Sequence, residues 1–167
     1  MLLTRRAWLA ALALPALPAP AFALAPPAGE VLLRVRGDIA VTNRDGEAWL
    51  DRAALEGMGR VDLRTGTPWS AGEETFTGVP AARLLDRLGA RGSIARALAL
   101  NDYKVDIPVA ELRSYPVLLA LERGGRPLRV RELGPIWIVY PWSQFPDLDD
   151  RVHRQRSVWQ LDALELR

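Results

Sequence analysis

The strongest constraint on the fold is how short the apolar segments are and how often Gly, Pro or Asn-Asp punctuates them. Glu30–Arg36, Asp38–Thr42, Val61–Thr65, Val117–Glu122, Pro127–Val130, Ile136–Tyr140 and Ser157–Leu166 each read as a strand, and Ile94–Leu100 leads into Asn101-Asp102-Tyr103. Between Asn101-Asp102 and Pro108, Tyr103, Val105 and Ile107 alternate with Lys104 and Asp106, the pattern of a half-buried strand. Only one segment carries a clear helical period: Ala81, Leu84, Leu85 and Leu88, opened by Pro80 and closed by Gly89. Two shorter helical turns are expected, Arg52–Glu56 capped by Asp51 and ended by Gly57, and Val109–Arg113. Gly66–Thr75 and Trp142–Arg154 read as loops, and Gly124-Gly125 as the turn of a hairpin. Regular βα alternation is missing, which argues against a doubly wound sheet. The expected class is α/β in the irregular α+β sense, with a mixed sheet in a single domain.

Neither cross-links nor metal thiolates can hold such a fold together, because the chain has no cysteine. An Fe–S cluster, a thiolate zinc site and a Cys nucleophile are excluded with them. At 167 residues and 49% apolar content, the chain can bury enough surface to be stable without a staple.

The N-terminus reads as an address. Met1–Ala23 has a basic start at Arg5-Arg6, an apolar run from Ala7 to Leu14, and a small-residue end at Ala21-Phe22-Ala23. That is the three-part build of a secretory signal peptide, with cleavage expected after Ala23 and the domain running over 24–167. Thr4-Arg5-Arg6-Ala7-Trp8-Leu9 resembles a twin-arginine signal, and an ordinary Sec leader with two arginines fits equally well. Prolines at 15, 18, 20, 26 and 27 argue against a stable membrane span. Either export route places the protein in the periplasm or outside the cell.

Removal of that leader also changes the charge. The whole chain carries 22 Lys and Arg against 20 Asp and Glu, with a pI near 9.5. Without Arg5 and Arg6 the two signs balance. A neutral domain lacks the basic stripe that displaces phosphate counterions, so nucleic acid is not expected as a partner.

From Thr65 onward, several segments stand in a telling order: Thr65-Gly66-Thr67-Pro68-Trp69, Phe76-Thr77-Gly78-Val79-Pro80, Asn101-Asp102-Tyr103, Tyr115-Pro116-Val117, Gly134-Pro135-Ile136-Trp137-Ile138-Val139-Tyr140-Pro141, and Trp159-Gln160-Leu161. Together they resemble the oxidoreductase molybdopterin-binding domain family, with the sulfite-oxidase fold, and most of all its small exported branch. The resemblance implies molybdopterin as cofactor, seated in a pocket walled by loops. In the family's redox enzymes a cysteine thiolate also ligates molybdenum, from the loop before the helix that starts at Pro80. Here that loop, Thr65–Thr75, has none. A hydroxyl is a poor substitute for a soft thiolate, so molybdenum is doubtful where the pterin is plausible.

The candidate cofactor- or ligand-binding residues are Thr65, Thr67 and Trp69 in that loop, Asn101 and Tyr103 at a loop-to-strand junction, and Tyr140 and Trp142 at a strand exit. Each has a plain alternative. The Thr hydroxyls can bond their own backbone, Asn101 can close an Asx turn, and the aromatics can be core. Asp147, Asp149, Asp150 and His153 read as a solvated acidic loop before they read as a metal site. Arg123, Arg126, Arg129 and Arg131 read as a charged hairpin edge. No catalytic residue can be assigned. Three functional classes stay open: a module binding a small ligand or a periplasmic partner protein, a molybdopterin-dependent oxidoreductase with a cysteine-free metal site, and an interaction protein with a vestigial pocket.

Overall fold

A computed structural model describes residues 24–167; the leader, with its cleavage site and Arg5-Arg6, lies outside the described residues. Ten strands form two five-stranded sheets. In the first, β1 (Val31–Gly37), β2 (Ala48–Asp51), β5 (Ile94–Ala99), β6 (Lys104–Pro108) and β10 (Leu161–Leu166) lie in the order β2-β1-β10-β5-β6. Only β1 and β10 run parallel; Arg34 faces Ala163 and Leu166 faces Gly37. The second sheet is antiparallel and holds β3 (Val61–Thr65), β4 (Glu74–Pro80), β7 (Leu118–Arg123), β8 (Arg126–Pro127) and β9 (Trp137–Val139). One edge of β7 pairs with β4, while β8 and β9 share the other.

Burial follows the sequence pattern. Alternation in β5 and β10 leaves one face of the first sheet solvated, whereas β7 begins with four buried residues and β9 is buried throughout. Leu84, Leu85 and Leu88 face one core shared with Leu33, Phe76, Leu119 and Ile138. The helices are short: α1 (Arg52–Glu56), α2 (Ala81–Arg87), α3 (Val109–Ser114) and α4 (Arg151–Arg156). Among the described residues, no helix is long and apolar enough to cross a membrane.

The α/β, irregular mixed-sheet expectation holds, but several segments differ. Asp38–Thr42 is not a strand; the Ala40 and Val41 N–H groups both bond the Leu88 carbonyl and close the end of α2. The strand beside β1 is β2 instead. Glu74-Thr75, expected in a loop, starts β4, whose Thr-Phe-Thr stretch pairs with β3 and β7. Pro127–Val130 is a strand for only one residue, because its chain turns into a 3-10 segment at Val130–Glu132. The loop expected over 142–154 contains most of α4, whose N-cap is Asp150.

Gly78 is where β4 and β7 touch: a Cβ there would sit 2.1 Å from the Leu119 carbonyl oxygen. Another junction is Asp51, which is almost fully buried. Its Oδ1 accepts from Ala54 N at 2.8 Å as the cap of α1, and its Oδ2 accepts from Ala28 and Gly29 N at 2.9 Å, tying the start of the described chain to β2. Backbone N–H groups, Ala54 first and then Gly29, hold this carboxyl below the usual carboxylate range.

A depressed folded-state pKa means the unfolded chain takes up protons first. The stability from Asp51 is therefore complete above about pH 4 and lost as pH falls through the folded value. Chemical denaturation of Asp51→Ala at neutral pH should show a loss of about 2 kcal/mol. Across the acid range, Asp51→Asn should lose stability less steeply than the parent chain; equal slopes would contradict this role.

Candidate functional site

The loop after β3 is fastened by its own hydroxyl groups. Thr65 is fully buried; its Oγ1 donates to the Gly66 carbonyl at 2.9 Å and accepts from Ser143 N at 3.0 Å. Gly66 N donates in turn to Ser143 Oγ at 2.9 Å. Within the loop, Ser70 Oγ accepts from Thr67 N at 2.8 Å and donates to Gly72 O at 2.8 Å, and Thr67 Oγ1 accepts from Trp69 N at 3.3 Å. These bonds fix the loop and leave the two threonine hydroxyls engaged.

What the loop presents is Trp69, 44% exposed. Its ring lies 6.1 Å from Trp137 and 6.0 Å from Trp142, both nearly buried, and 5.1 Å from Trp159 at an interplanar angle of 78°. Trp69 and Trp159 are thus two perpendicular walls. With Asn101, Tyr103, Arg154, Gln155, Ser157 and Val158 they enclose a cleft of about 230 Å³. Tyr103 donates its hydroxyl to the Gln155 carbonyl at 3.0 Å, joining the β5–β6 turn to α4. Asn101 Oδ1 accepts from Tyr103 N at 3.2 Å, and Asp102 between them has φ 65°.

Of the seven residues picked from sequence, the structure therefore brings Trp69, Asn101 and Tyr103 to one cleft. Thr67 and Trp142 border a separate depression of about 280 Å³ with Pro68, Ser143 and Asp149. Thr65 lines neither. Tyr140 lines neither of these hollows, and Trp142 reaches the second with only a sliver of its ring. Tyr140 is fully buried and donates to Glu111 Oε1 at 2.6 Å, while the Trp142 indole N–H, almost as deep, donates to Leu148 O at 3.2 Å. Burial, followed by the Glu111 bond, pushes the Tyr140 phenol far above its ordinary pKa, so it stays a neutral donor. Glu111 also takes Arg156, and His153 Nε2 lies 3.8 Å from it.

Trp159, Arg154 and Gln155 are not among the candidate binding residues read from the sequence. Trp159 shares its parity with Leu161, which suggested a core residue in the last strand. That strand begins only at Leu161, and the preceding bend, with Gln160 at φ 53°, leaves Trp159 37% exposed. Its place in Trp159-Gln160-Leu161, one of the segments that carry the family resemblance, is the signal that could have found it.

The acidic run is structural. Asp150 Oδ1 caps α4 through His153 N at 2.8 Å, its Oδ2 lies 2.9 Å from His153 Nδ1, and Asp149 Oδ1 accepts from Arg154 Nε at 2.8 Å. Among the described residues, no three His, Cys, Asp or Glu converge as metal ligands. Arg123 forks onto Glu74.

The comparisons with known proteins bear on this geometry. A sequence model of the oxidoreductase molybdopterin binding domain matches residues 50–145, more than half of the chain, from the end of β2 to the loop after β9. The chain belongs to the oxidoreductase molybdopterin-binding domain family. No curated protein matches it. Against the cofactor this family implies, the donor set divides. Aromatic faces and amide groups suit a flat polar molecule. A soft metal finds no thiolate, and the hydroxyl of Thr65 is buried and engaged in two hydrogen bonds, so these residues do not fit protein ligation of molybdenum.

The cleft depends on the core behind it. Trp137 donates its indole N–H to Ser157 Oγ at 2.9 Å, and that hydroxyl donates to Ile138 O at 2.7 Å. Ser157→Ala should strand a buried N–H and cost about 1–3 kcal/mol in chemical denaturation. Near-ultraviolet circular dichroism should change as the tryptophan cluster loosens. An unaltered spectrum and midpoint would show that the bond supports neither.

Proposed function

We propose that the protein is an exported binding module built on the molybdopterin-binding domain, one that holds a small ligand or a periplasmic partner rather than a redox-active molybdenum. The observation that carries this reading is Thr65. It ends β3 in the loop where the resemblance locates the family's metal thiolate, and its hydroxyl staples that loop to Ser143. A group already donating and accepting within the protein is not held ready for a metal. Nor does the site offer an alternative chemistry of its own. The partners of His153 are Asp150, Glu111 and the Tyr140 ring, so no serine–histidine pair forms among the described residues.

The open cleft supports binding. Trp69 and Trp159 are large apolar side chains left partly exposed on a rigid backing, with Asn101 and Tyr103 beside them. Pockets combining apolar walls with a few polar groups are the usual setting for small-molecule recognition. The leader read from Met1–Ala23 supports delivery outside the cytoplasm, and folded export through the twin-arginine route would allow a ligand to be loaded beforehand.

Protein purified from its native host should begin at Leu24, fractionate with the periplasm, and carry no stoichiometric molybdenum by elemental analysis. Pterin without metal would accord with the binding reading. Stoichiometric molybdenum would overturn it in favour of an oxidoreductase with a cysteine-free metal site.

A further inference from the structure

The ligand class of the cleft can be narrowed by asking which of its polar groups are already satisfied. Ser157 Oγ accepts from Trp137 and donates to Ile138, so it has nothing left to offer as a donor. The Tyr103 hydroxyl donates to Gln155 O, and Asn101 Oδ1 accepts from Tyr103 N. Arg154 commits its Nε to Asp149.

The remainder is rich in donors. Trp49, Trp137 and Trp142 each give their indole N–H to a protein acceptor: Glu47, Ser157 and Leu148 respectively. Trp69 and Trp159 are the two described tryptophans with no such partner among the described residues, and both line the cleft. The Asn101 amide N–H₂ and the terminal nitrogens of Arg154 are uncommitted as well. The Gln155 side-chain amide, which also lines the cleft, can both donate and accept. Beyond the Nε bond to Asp149, the terminal nitrogens of Arg154 still point donors at the cleft, and unpaired donors on a guanidinium favour a ligand that brings acceptor oxygens, a carboxylate above all. The perpendicular indoles, 5.1 Å apart between centroids, favour a flat ring, which can lie on one face and meet the other edge-on.

We propose that the cleft cornered by the touching pair Trp69 and Trp159 binds a small aromatic carboxylate, its ring against the indoles and its carboxylate toward Arg154 and Asn101. This rests on the binding reading above and gives it a ligand class. The volume of about 230 Å³ suits one or two fused rings. Preorganisation is built in. Trp69 is backed by Trp137 and Trp142, its loop is tied by Thr65, Thr67 and Ser70, and Tyr103 fastens the opposite wall to α4. Little side-chain freedom is left to be lost on binding. Three aromatic side chains around a small cleft would also suit a quaternary ammonium ion, but Arg154 in the wall opposes a cation.

Isothermal titration calorimetry of the full domain tests this with four probes: 2-naphthoate, its uncharged amide, acetate and phenyltrimethylammonium. Naphthoate should bind, the amide roughly tenfold more weakly, and acetate and the cation not measurably. Trp159→Ala should weaken naphthoate at least about tenfold. Arg154→Gln should bring naphthoate down to the affinity of the amide, and because Arg154 is a surface residue of α4, it guards against a folding artefact at Trp159. Preferred binding of the cation, no heat with naphthoate at millimolar concentration, or unchanged affinity in both variants would overturn the proposal. The binding reading itself stands or falls separately, on the molybdenum content of the native protein.

Discussion

Trp137 is the residue through which the two sheets become one structure. Its backbone pairs with Ala120 of β7, and its indole N–H is tied to Ser157. On either side of it, Ile138 N donates to Val158 O and Leu161 N donates to Ile136 O, both at 2.9 Å, so β9 is bridged to the chain that enters β10. A buried indole must satisfy its N–H, and here the partner lies on the segment that links to the other sheet. Phe76 packs edge-on at 5.2 Å, and Trp69 and Trp159 lean on the same ring. The exposed cleft is the outer rim of this buried contact, and its geometry is only as fixed as Trp137 is.

That dependence explains what was legible in the sequence. Segments whose fate is set by their own apolar period could be read: α2 from Ala81, Leu84 and Leu85, β6 from the alternation after Tyr103, and the Gly124-Gly125 turn, where both residues adopt positive φ. Segments decided by a distant partner could not. Ile39 and Val41 look like strand residues, yet the neighbouring N–H groups of Ala40 and Val41 are claimed by Leu88. Trp159 has the parity of a core residue, and a positive φ at Gln160 turns the chain before the strand starts. Tyr140 and Trp142 carry polar tips that suit a ligand, and each tip found an acceptor inside the protein, Glu111 and Leu148 O. Side-chain chemistry names what a residue can bond. Which partner reaches it first is a matter of tertiary structure.

The same distinction separates Thr65 from Trp69, four positions apart in one loop. Both are candidates by composition and by family resemblance. Thr65 is enclosed, and its hydroxyl links two loops distant in sequence, from β3 to the segment after β9. Trp69 is held out by the bonds that Thr65, Thr67 and Ser70 make beneath it. A thiolate in place of that hydroxyl would have no proton to donate to the Gly66 carbonyl, so half of the staple would be lost. The position is therefore set by its structural demand, for a side chain that can both donate and accept. In this chain that demand is met, and the loop is rigid as a result.

The proposed binding role rests on what a fixed loop without a thiolate leaves available. Redox catalysis at molybdenum needs a tuned metal ligand, and the charged groups here are spent elsewhere. Glu111 is shared by Tyr140, Arg156 and His153, Asp149 by Arg154, and Asp150 by the start of α4. Recognition needs only shape, apolar area and a few donors free to reach a ligand. Those are the features that Trp69, Trp159, the Asn101 amide nitrogen and the terminal nitrogens of Arg154 keep beyond their internal partnerships.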